Sequence, residues 1–286
     1  MLRQAARRMK KRLRFLMIVD DVDIARFVHR NGVDRLFVDL EKLGKQERQK
    51  HVSSWKSHQS PADVTKIRHA VPDAHLLVRL NPLNPATEAE INDALERGAD
   101  SLMLPMFRTY CEVAEFYDLV AGRANIVPLC ETVGSLEAIP EMLKHLPVSE
   151  LHIGLNDLHL DLGKKFMFQP LADGILEKPC ILLREHGVAF GIGGVARAAE
   201  GIISPEYLLG EHVRLGSDGA ILSRSFHRNA ITLEQLQEST DFAGEIAKLQ
   251  SIYADFSQTS AATLEHNREM TKAKVIDVVN VIKAGS

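Results

Sequence analysis

The amino-acid sequence predicts an α/β protein of the (β/α)8 or TIM-barrel class. Eight short segments rich in branched apolar residues recur along the chain, and segments with helical periodicity separate them. Most of the apolar segments lack an apolar–polar alternation, which is typical of parallel strands covered on both faces. The length of 286 residues is ordinary for one such barrel.

The predicted strands are the eight apolar segments in chain order. They cover residues 14–20, 36–40, 76–80, 101–105, 126–131, 151–155, 188–193 and 220–223.

Helices are predicted between strands from start and stop signals in the sequence. Ser60–Pro61 places a capping residue before a proline in the first turn, and Gly98 and Gly122 end two helical patterns. The predicted helices cover 22–30, 62–70, 86–97, 109–120 and 135–145.

A closed barrel is favoured over an open doubly wound sheet. The open sheet normally carries a glycine-rich phosphate loop after its first strand. Here the first strand runs into Val-Asp-Asp-Val-Asp at 19–23, which cannot hold a pyrophosphate group.

Three regions are predicted along the chain. Residues 1–13 form a basic tail, expected to be solvated, residues 14–230 form the catalytic barrel, and residues 231–286 form C-terminal helices. Two C-terminal helices are predicted, at 232–256 and 261–284. One helix would complete the barrel, so the surplus is expected to pack on another subunit. Two long excursions, 41–60 and 161–187, are expected to shape the mouth of the active site.

Composition excludes several classes of function. A net charge of −3 argues against nucleic acid as the main partner. No apolar run approaches the ~20 residues that span a membrane, and no secretory signal is recognisable. Three widely separated cysteines suit a reducing cytoplasm.

Chemistry in a barrel is expected where strands end, at the C-terminal face. Glu131 and Asp157 end the predicted fifth and sixth strands, and neighbouring strands lie ~4.8 Å apart. Two carboxylates so close repel unless they share a proton or a cation, and Mg²⁺ commonly uses one or two carboxylates. The alternative is that both acids cap helices or pair with lysines.

Two further polar residues at strand ends are candidates for substrate binding. Arg79 ends the third strand, and its planar fork suits a carboxylate. It is also a candidate catalytic residue, expected to steady the substrate carbonyl and the charge of the enolate. Asn156 precedes Asp157 and lies at the same predicted edge.

Five segments occur in order along the chain: VDLEKLGKQERQ, LLVRLNP, GADSLMLPMF, IVPLCETVGSLEAI and HIGLNDLHLDLG. Together they resemble the HpcH/HpaI aldolase and citrate lyase β-subunit family. The resemblance implies a lyase dependent on Mg²⁺ or Mn²⁺, with Glu131 and Asp157 as metal ligands and Arg79 as the arginine that binds the substrate carboxylate. It also implies a homo-oligomer, trimer or hexamer, that exchanges its last helices between subunits.

One departure from the family concerns the catalytic base. The pyruvate-dependent aldolases carry histidine after the second-strand glutamate, in a D-x-E-H pattern, and citrate lyase β-subunits read D-L-E-D. This chain has Lys42 at that position. His58, or a metal-bound water, is the remaining candidate base, although an exposed loop histidine is the simpler interpretation of His58. Lys42 and Lys45 are candidates for an anionic substrate, with solvated lysines as the simpler interpretation.

Two other histidines lie near the predicted site in sequence. His159 follows the metal aspartate by two residues, and whether it points inward is open. His152 lies inside the sixth strand and is interpreted as a core histidine.

The leading hypothesis is reversible aldol cleavage of a hydroxylated 2-oxo acid through a metal-stabilised, pyruvate-type enolate. Cleavage or synthesis of a malyl- or citryl-type acyl-CoA is an alternative within the same enzyme class. A non-catalytic barrel that binds a carboxylated metabolite is the alternative from another class.

Overall fold

Eight parallel strands close into one barrel in chain order, with β1 beside β8. The computed structural model describes residues 12–45, 59–223, 226 and 230–284. The predicted (β/α)8 barrel is therefore confirmed. The strands are β1 Arg14–Ile18, β2 Arg35–Asp39, β3 His75–Arg79, β4 Ser101–Leu104, β5 Asn125–Cys130, β6 Glu150–Ile153, β7 Ala189–Val195 and β8 Gly219–Leu222.

Twelve helices form within the described residues, and most follow a strand and pack on the outside of the barrel. They are α1 Val22–Arg30, α2 Pro61–Ala70, α3 Thr87–Glu96, α4 Tyr110–Val120, α5 Val133–His145, α6 Leu155–Asp161, α7 Gln169–Ala172, α8 Glu177–Glu185, α9 Pro205–Leu215, α10 Leu233–Ser239, α11 Phe242–Phe256 and α12 Ala261–Ala284.

Side-chain caps fix where several of these helices begin. Asp21 accepts from the backbone of Ile24, Thr109 forms a capping box with Glu112, and Thr132 accepts from Ser135 N. A cap satisfies backbone N–H groups that lack a partner in the first turn. The loops at the C-terminal ends of β1, β4 and β5 are therefore anchored where a site would lie.

Two boundaries differ from the sequence-based expectation. Strand β6 ends at Ile153, so Asp157 lies in the first turn of α6 and not on the strand itself. The helix predicted at 232–256 divides into α10 and α11 because Thr240 is extended and Asp241 starts a new helix by accepting from Gly244 N.

Apolar side chains fill the inside of the barrel as well as the layer beneath the helices. The inner cluster leaves no channel through the middle of the barrel, so a ligand can approach only at an end. Its buried members are Leu16, Phe37, Leu77, Met103, Val127 and Leu129.

Ion pairs close the N-terminal end of the barrel. Glu150 accepts from Arg14 Nη1 at 2.9 Å and from Arg35 Nη1 at 2.8 Å. Arg14 also donates to Asp218 Oδ1 at 2.8 Å. These residues begin or precede β1, β2, β6 and β8, so the network ties four strands together at the end opposite the predicted site.

The C-terminal helices α11 and α12 pack on α9 of the same chain. Contact between α9 and α12 is close, because a Cβ at Gly210 would lie 2.3 Å from Asn267 Nδ2. Exchange of these helices between subunits stays a prediction. No helix among the described residues is long and apolar enough to cross a membrane.

Candidate active site

Glu131 lies directly after β5 and is 3% exposed. Two neighbouring groups hold its carboxylate in position. Its Oε1 accepts from Met106 N at 3.2 Å. Met106 adopts φ 57°, a left-handed conformation that is uncommon for a residue with a side chain. Gly154 lies against the other side, where a Cβ would be 2.9 Å from Glu131 Oε2. The strained backbone conformation of Met106 therefore helps to orient this carboxylate, at a cost in conformational free energy.

Electrostatic repulsion links Glu131 to Asp157, the other predicted metal ligand. Burial and the negative charge of Asp157 raise the pKa of Glu131 well above its ordinary value, and Arg79 opposes this only in part. Two neighbouring carboxylates that disfavour each other's charge are stabilised when a cation lies between them. The structure thus brings together the two acids that the sequence singled out.

The donor set of these two acids fits a hard divalent cation. Mg²⁺ and Mn²⁺ prefer oxygen ligands, and Mg²⁺ commonly takes one or two carboxylates while water and substrate oxygens complete its shell. Within the described ranges, no cluster of three or more histidine, cysteine or carboxylate side chains is arranged as a metal site. An ion held by two protein carboxylates would keep its other positions for water and substrate oxygens.

Arg79, at the end of β3, forms a two-point ion pair with Asp39. Its Nε donates to Asp39 Oδ1 at 2.9 Å and its Nη2 to Oδ2 at 2.8 Å. The guanidinium also lies 3.4 Å from Glu41 Oε2 and 5.5 Å from the centroid of the Phe37 ring. Burial lowers the pKa of Arg79, but Asp39 and Glu41 outweigh it and hold that pKa above its ordinary value. The edge of the fork formed by Nε and Nη2 is thus occupied by the chain's own acids, which the sequence did not reveal.

Lys45 is buried in the same cluster, and the expectation of a solvated lysine is wrong. It is 8% exposed, and its Nζ lies 2.6 Å from Asp39 Oδ2 and 3.5 Å from Glu41 Oε2. The spacing of Glu41 and Lys45 does not predict this burial, because Glu41 lies outside a helix and the four-residue rule applies to residues on one helix. Burial alone would raise the pKa of Asp39, but Arg79 and Lys45 hold it well below its ordinary value.

Lys42, which replaces the family histidine, is exposed. Asn81 holds its backbone, because Asn81 Oδ1 accepts from Lys42 N at 2.8 Å and from Leu43 N at 3.0 Å. The loop after β2 therefore turns Lys42 outward and Lys45 inward.

The structure settles one of the histidines considered for the site. His152 is 2% exposed and its Nε2 lies 3.0 Å from Gly193 O, which confirms it as a core histidine. His159 is buried, and its Nδ1 has no hydrogen-bond partner among the described residues. His58 lies outside the described residues, so its role as a base stays a prediction.

Asn156 and Asp157 are half-buried in the first turn of α6. A short helix that starts at a strand end presents side chains at the mouth of the barrel. Their roles in binding substrate and metal stay predictions.

The fold and this cluster define a TIM-barrel protein with a carboxylate-lined C-terminal mouth. No family model matches the chain, and no curated protein matches it in sequence. Solved structures of similar fold do match, at identities below 20%.

Three of these structures indicate the kind of barrel. An HpcH/HpaI aldolase from Desulfitobacterium hafniense is 19% identical with a TM-score of 0.57, covering 75% of this chain and 86% of its own. An HpcH/HpaI aldolase/citrate lyase family protein from Burkholderia cenocepacia is 18% identical with a TM-score of 0.59, covering 80% and 95%. CitE from Mycobacterium tuberculosis, in complex with magnesium and pyruvate, is 15% identical with a TM-score of 0.59, covering 92% and 99%. The resemblance found in the sequence is confirmed at the level of the fold.

Proposed function

We propose that this chain is a member of the HpcH/HpaI aldolase and citrate lyase family and a divalent-metal-dependent carbon–carbon lyase. The proposed reaction is reversible aldol cleavage of a hydroxylated 2-oxo acid to a pyruvate-type product and an aldehyde. The observation that carries the proposal is the interacting pair of buried Glu131 and half-buried Asp157 beside Arg79, at the one end of the barrel where such chemistry occurs. The magnesium and pyruvate in the structure of CitE are consistent with it.

In this proposal Glu131 and Asp157 hold Mg²⁺ or Mn²⁺. When bound, the ion polarises the substrate's keto oxygen and offsets the negative charge of the enolate. Met106 N–H and Gly154 keep Glu131 in place, so the protein side of the site is formed before substrate arrives.

Arg79 binds and orients the substrate anion. Its Nε and Nη2 are fixed on Asp39, and Nη1 donates to no acceptor within the described part of the chain. A guanidinium anchored in this way loses little conformational freedom when its remaining N–H groups bind a carboxylate. During cleavage, the proton of the hydroxyl on C4 is removed, the C3–C4 bond breaks, and a proton returns to C3. His58 is the candidate for these proton transfers.

Exchange of the methyl protons of pyruvate with deuterium oxide, followed by NMR, tests this proposal without knowledge of the aldehyde. We expect exchange that requires Mg²⁺ or Mn²⁺, stops with a chelator, and falls at least ~100-fold in Asp157→Asn, the upper range for loss of metal-site support. Asp173→Asn, a surface aspartate paired with Lys164, is the control and should retain full exchange. Full exchange in Asp157→Asn would overturn the assignment.

Two further measurements, thioester turnover and oxalate binding, separate the alternatives. Turnover of a malyl- or citryl-type thioester in place of pyruvate release from hydroxy-oxo acids would identify an acyl-CoA lyase. Metal-dependent oxalate binding with no exchange would identify a non-catalytic barrel.

A further inference from the structure

Four charged side chains after β2 and β3 form a compact buried cluster, here called the β2–β3 charge cluster: Asp39, Glu41, Lys45 and Arg79. Asp39 Oδ2 accepts from Arg79 Nη2 at 2.8 Å and from Lys45 Nζ at 2.6 Å. Glu41 Oε2 lies 3.4 Å from Arg79 Nε and 3.5 Å from Lys45 Nζ. Each acid therefore contacts both cations, and each cation contacts both acids.

The charges of this cluster balance, with two acids against two cations. Without Lys45 the same side chains would carry a net charge of −1, beside the further acids Glu131 and Asp157. Arg79 experiences the charge of Glu131, so the β2–β3 charge cluster and the metal ligands share one electrostatic environment. The cation at position 45 thus affects the charge that an incoming anion meets.

We propose that Lys45 is a positioning residue that reserves Arg79 for the substrate anion. It does so by sharing Asp39 Oδ2 and Glu41 Oε2 with the guanidinium, so that part of the negative charge of both acids is neutralised by Lys45. This inference rests on the proposed function and assigns to it a residue that the D-x-E-H and D-L-E-D patterns do not contain.

The guanidinium of Arg79 has to bind two acids of the chain and the carboxylate of the substrate at the same time. With Lys45 present, the two acids draw on two cations, and Arg79 keeps its Nη1 edge for a ligand. With Lys45 removed, Asp39 and Glu41 would draw more strongly on Arg79, and an anionic substrate would approach a site that carries one more unit of negative charge. Burial strengthens this effect, because charges interact more strongly away from water.

The prediction is that removal of the Lys45 charge changes the affinities for an anion and for a cation in opposite directions. In Lys45→Met, calorimetry should show oxalate binding to the Mn²⁺-saturated protein about tenfold more weakly, since one positive charge has left the site. Mn²⁺ itself should bind severalfold more tightly for the same reason. Lys45→Arg keeps the charge and should restore both affinities towards those of the unmodified protein.

Lys66→Met is the matched control, because Lys66 is an exposed lysine on α2 that pairs with Asp63. It should leave both affinities unchanged. A general loss of structure in Lys45→Met would weaken both ligands together, and that outcome, or no change in either affinity, would overturn the proposal. Failure of the unmodified protein to bind Mn²⁺ would overturn the proposed function itself, and this inference with it.

Discussion

Gly154 shows how a residue without a side chain can define a carboxylate site. Its φ of −90° is open to any residue, so backbone conformation does not require glycine here. The requirement is space, since a Cβ would lie 2.9 Å from both Cβ and Oε2 of Glu131. The glycine before α6 therefore allows Glu131, which follows β5, to lie against the end of β6.

Gly154→Ala should displace Glu131 while the barrel stays folded. We expect destabilisation of about 1–3 kcal/mol from overpacking and a roughly 10- to 100-fold loss of Mn²⁺ affinity, as is usual when a group supporting a metal ligand is changed. Urea unfolding and Mn²⁺ titration measure the two effects.

Gly122→Ala provides the comparison for that experiment. Gly122 adopts φ +71°, and a Cβ added there would have no atom within 4 Å, so alanine costs backbone strain but contacts no ligand. It should lower stability and leave Mn²⁺ binding unchanged. Equal Mn²⁺ affinity in Gly154→Ala and Gly122→Ala would show that Gly154 does not position Glu131.

The sequence predicted some site residues and missed others, for a physical reason. Glu131 and Asp157 follow predicted strands, and the C-terminal end of a parallel strand is a defined place in a barrel. Lys45 follows the turn after β2, and nothing local dictates whether its side chain faces solvent or folds back onto Asp39. Its ion pair with Asp39 forms beside Arg79, which is distant in sequence.

At the level of elements, β6 and α9 each contribute a buried neutral histidine. His152 on β6 is bound to Gly193 O, and His212 on α9 lies 2.9 Å from Ser217 Oγ. Burial lowers the pKa of His152 to about 4 and that of His212 to about 3. An unfolded histidine takes up a proton near pH 6.5, so the two states differ in bound protons between about pH 6.5 and pH 4.

Stability should therefore fall as pH decreases through this window. The unfolded chain binds more protons than the folded chain, and each histidine should contribute a loss of about 1–2 kcal/mol between pH 7 and pH 5. Urea unfolding at the two pH values measures it. In His212→Gln the loss of stability between pH 7 and pH 5 should be smaller by about 1–2 kcal/mol, which is the contribution of that histidine.

His266→Gln is the control, because His266 is exposed on α12. It should show the same pH dependence as the unmodified protein. An unchanged pH dependence in His212→Gln would contradict the neutral state assigned to His212.

A strand or helix could be predicted from the sequence where a single local pattern determines it. All eight strands were predicted in order because each is an apolar segment buried on both faces, and their ends differ by only one or two residues. The position of Asp157 in α6 was not predicted, since α6 starts directly after Gly154 without a side-chain cap. The break between α10 and α11 depends on Asp241 accepting from Gly244 N, a short-range signal inside an otherwise helical pattern.

Across the whole molecule, the two ends of the barrel differ in how their charged side chains are arranged. Glu150, Arg14 and Arg35 close the N-terminal end with mutual ion pairs, and the apolar inner cluster separates them from Glu131. Among the described side chains at the C-terminal end, Glu131 and Asp157 lie near the β2–β3 charge cluster, whose own four charges sum to zero. The four side chains of that cluster and these two acids together carry a net charge of −2, which equals in magnitude the charge of one divalent cation.

Mn²⁺ binding to the unmodified protein and to Glu131→Gln and Asp157→Asn tests this account most directly. Electron paramagnetic resonance of free Mn²⁺ should show one site per chain in the unmodified protein. Affinity should fall at least ~10-fold in each variant, since each removes one of two charged ligands. Absence of binding in the unmodified protein, or equal binding in all three proteins, would contradict the account.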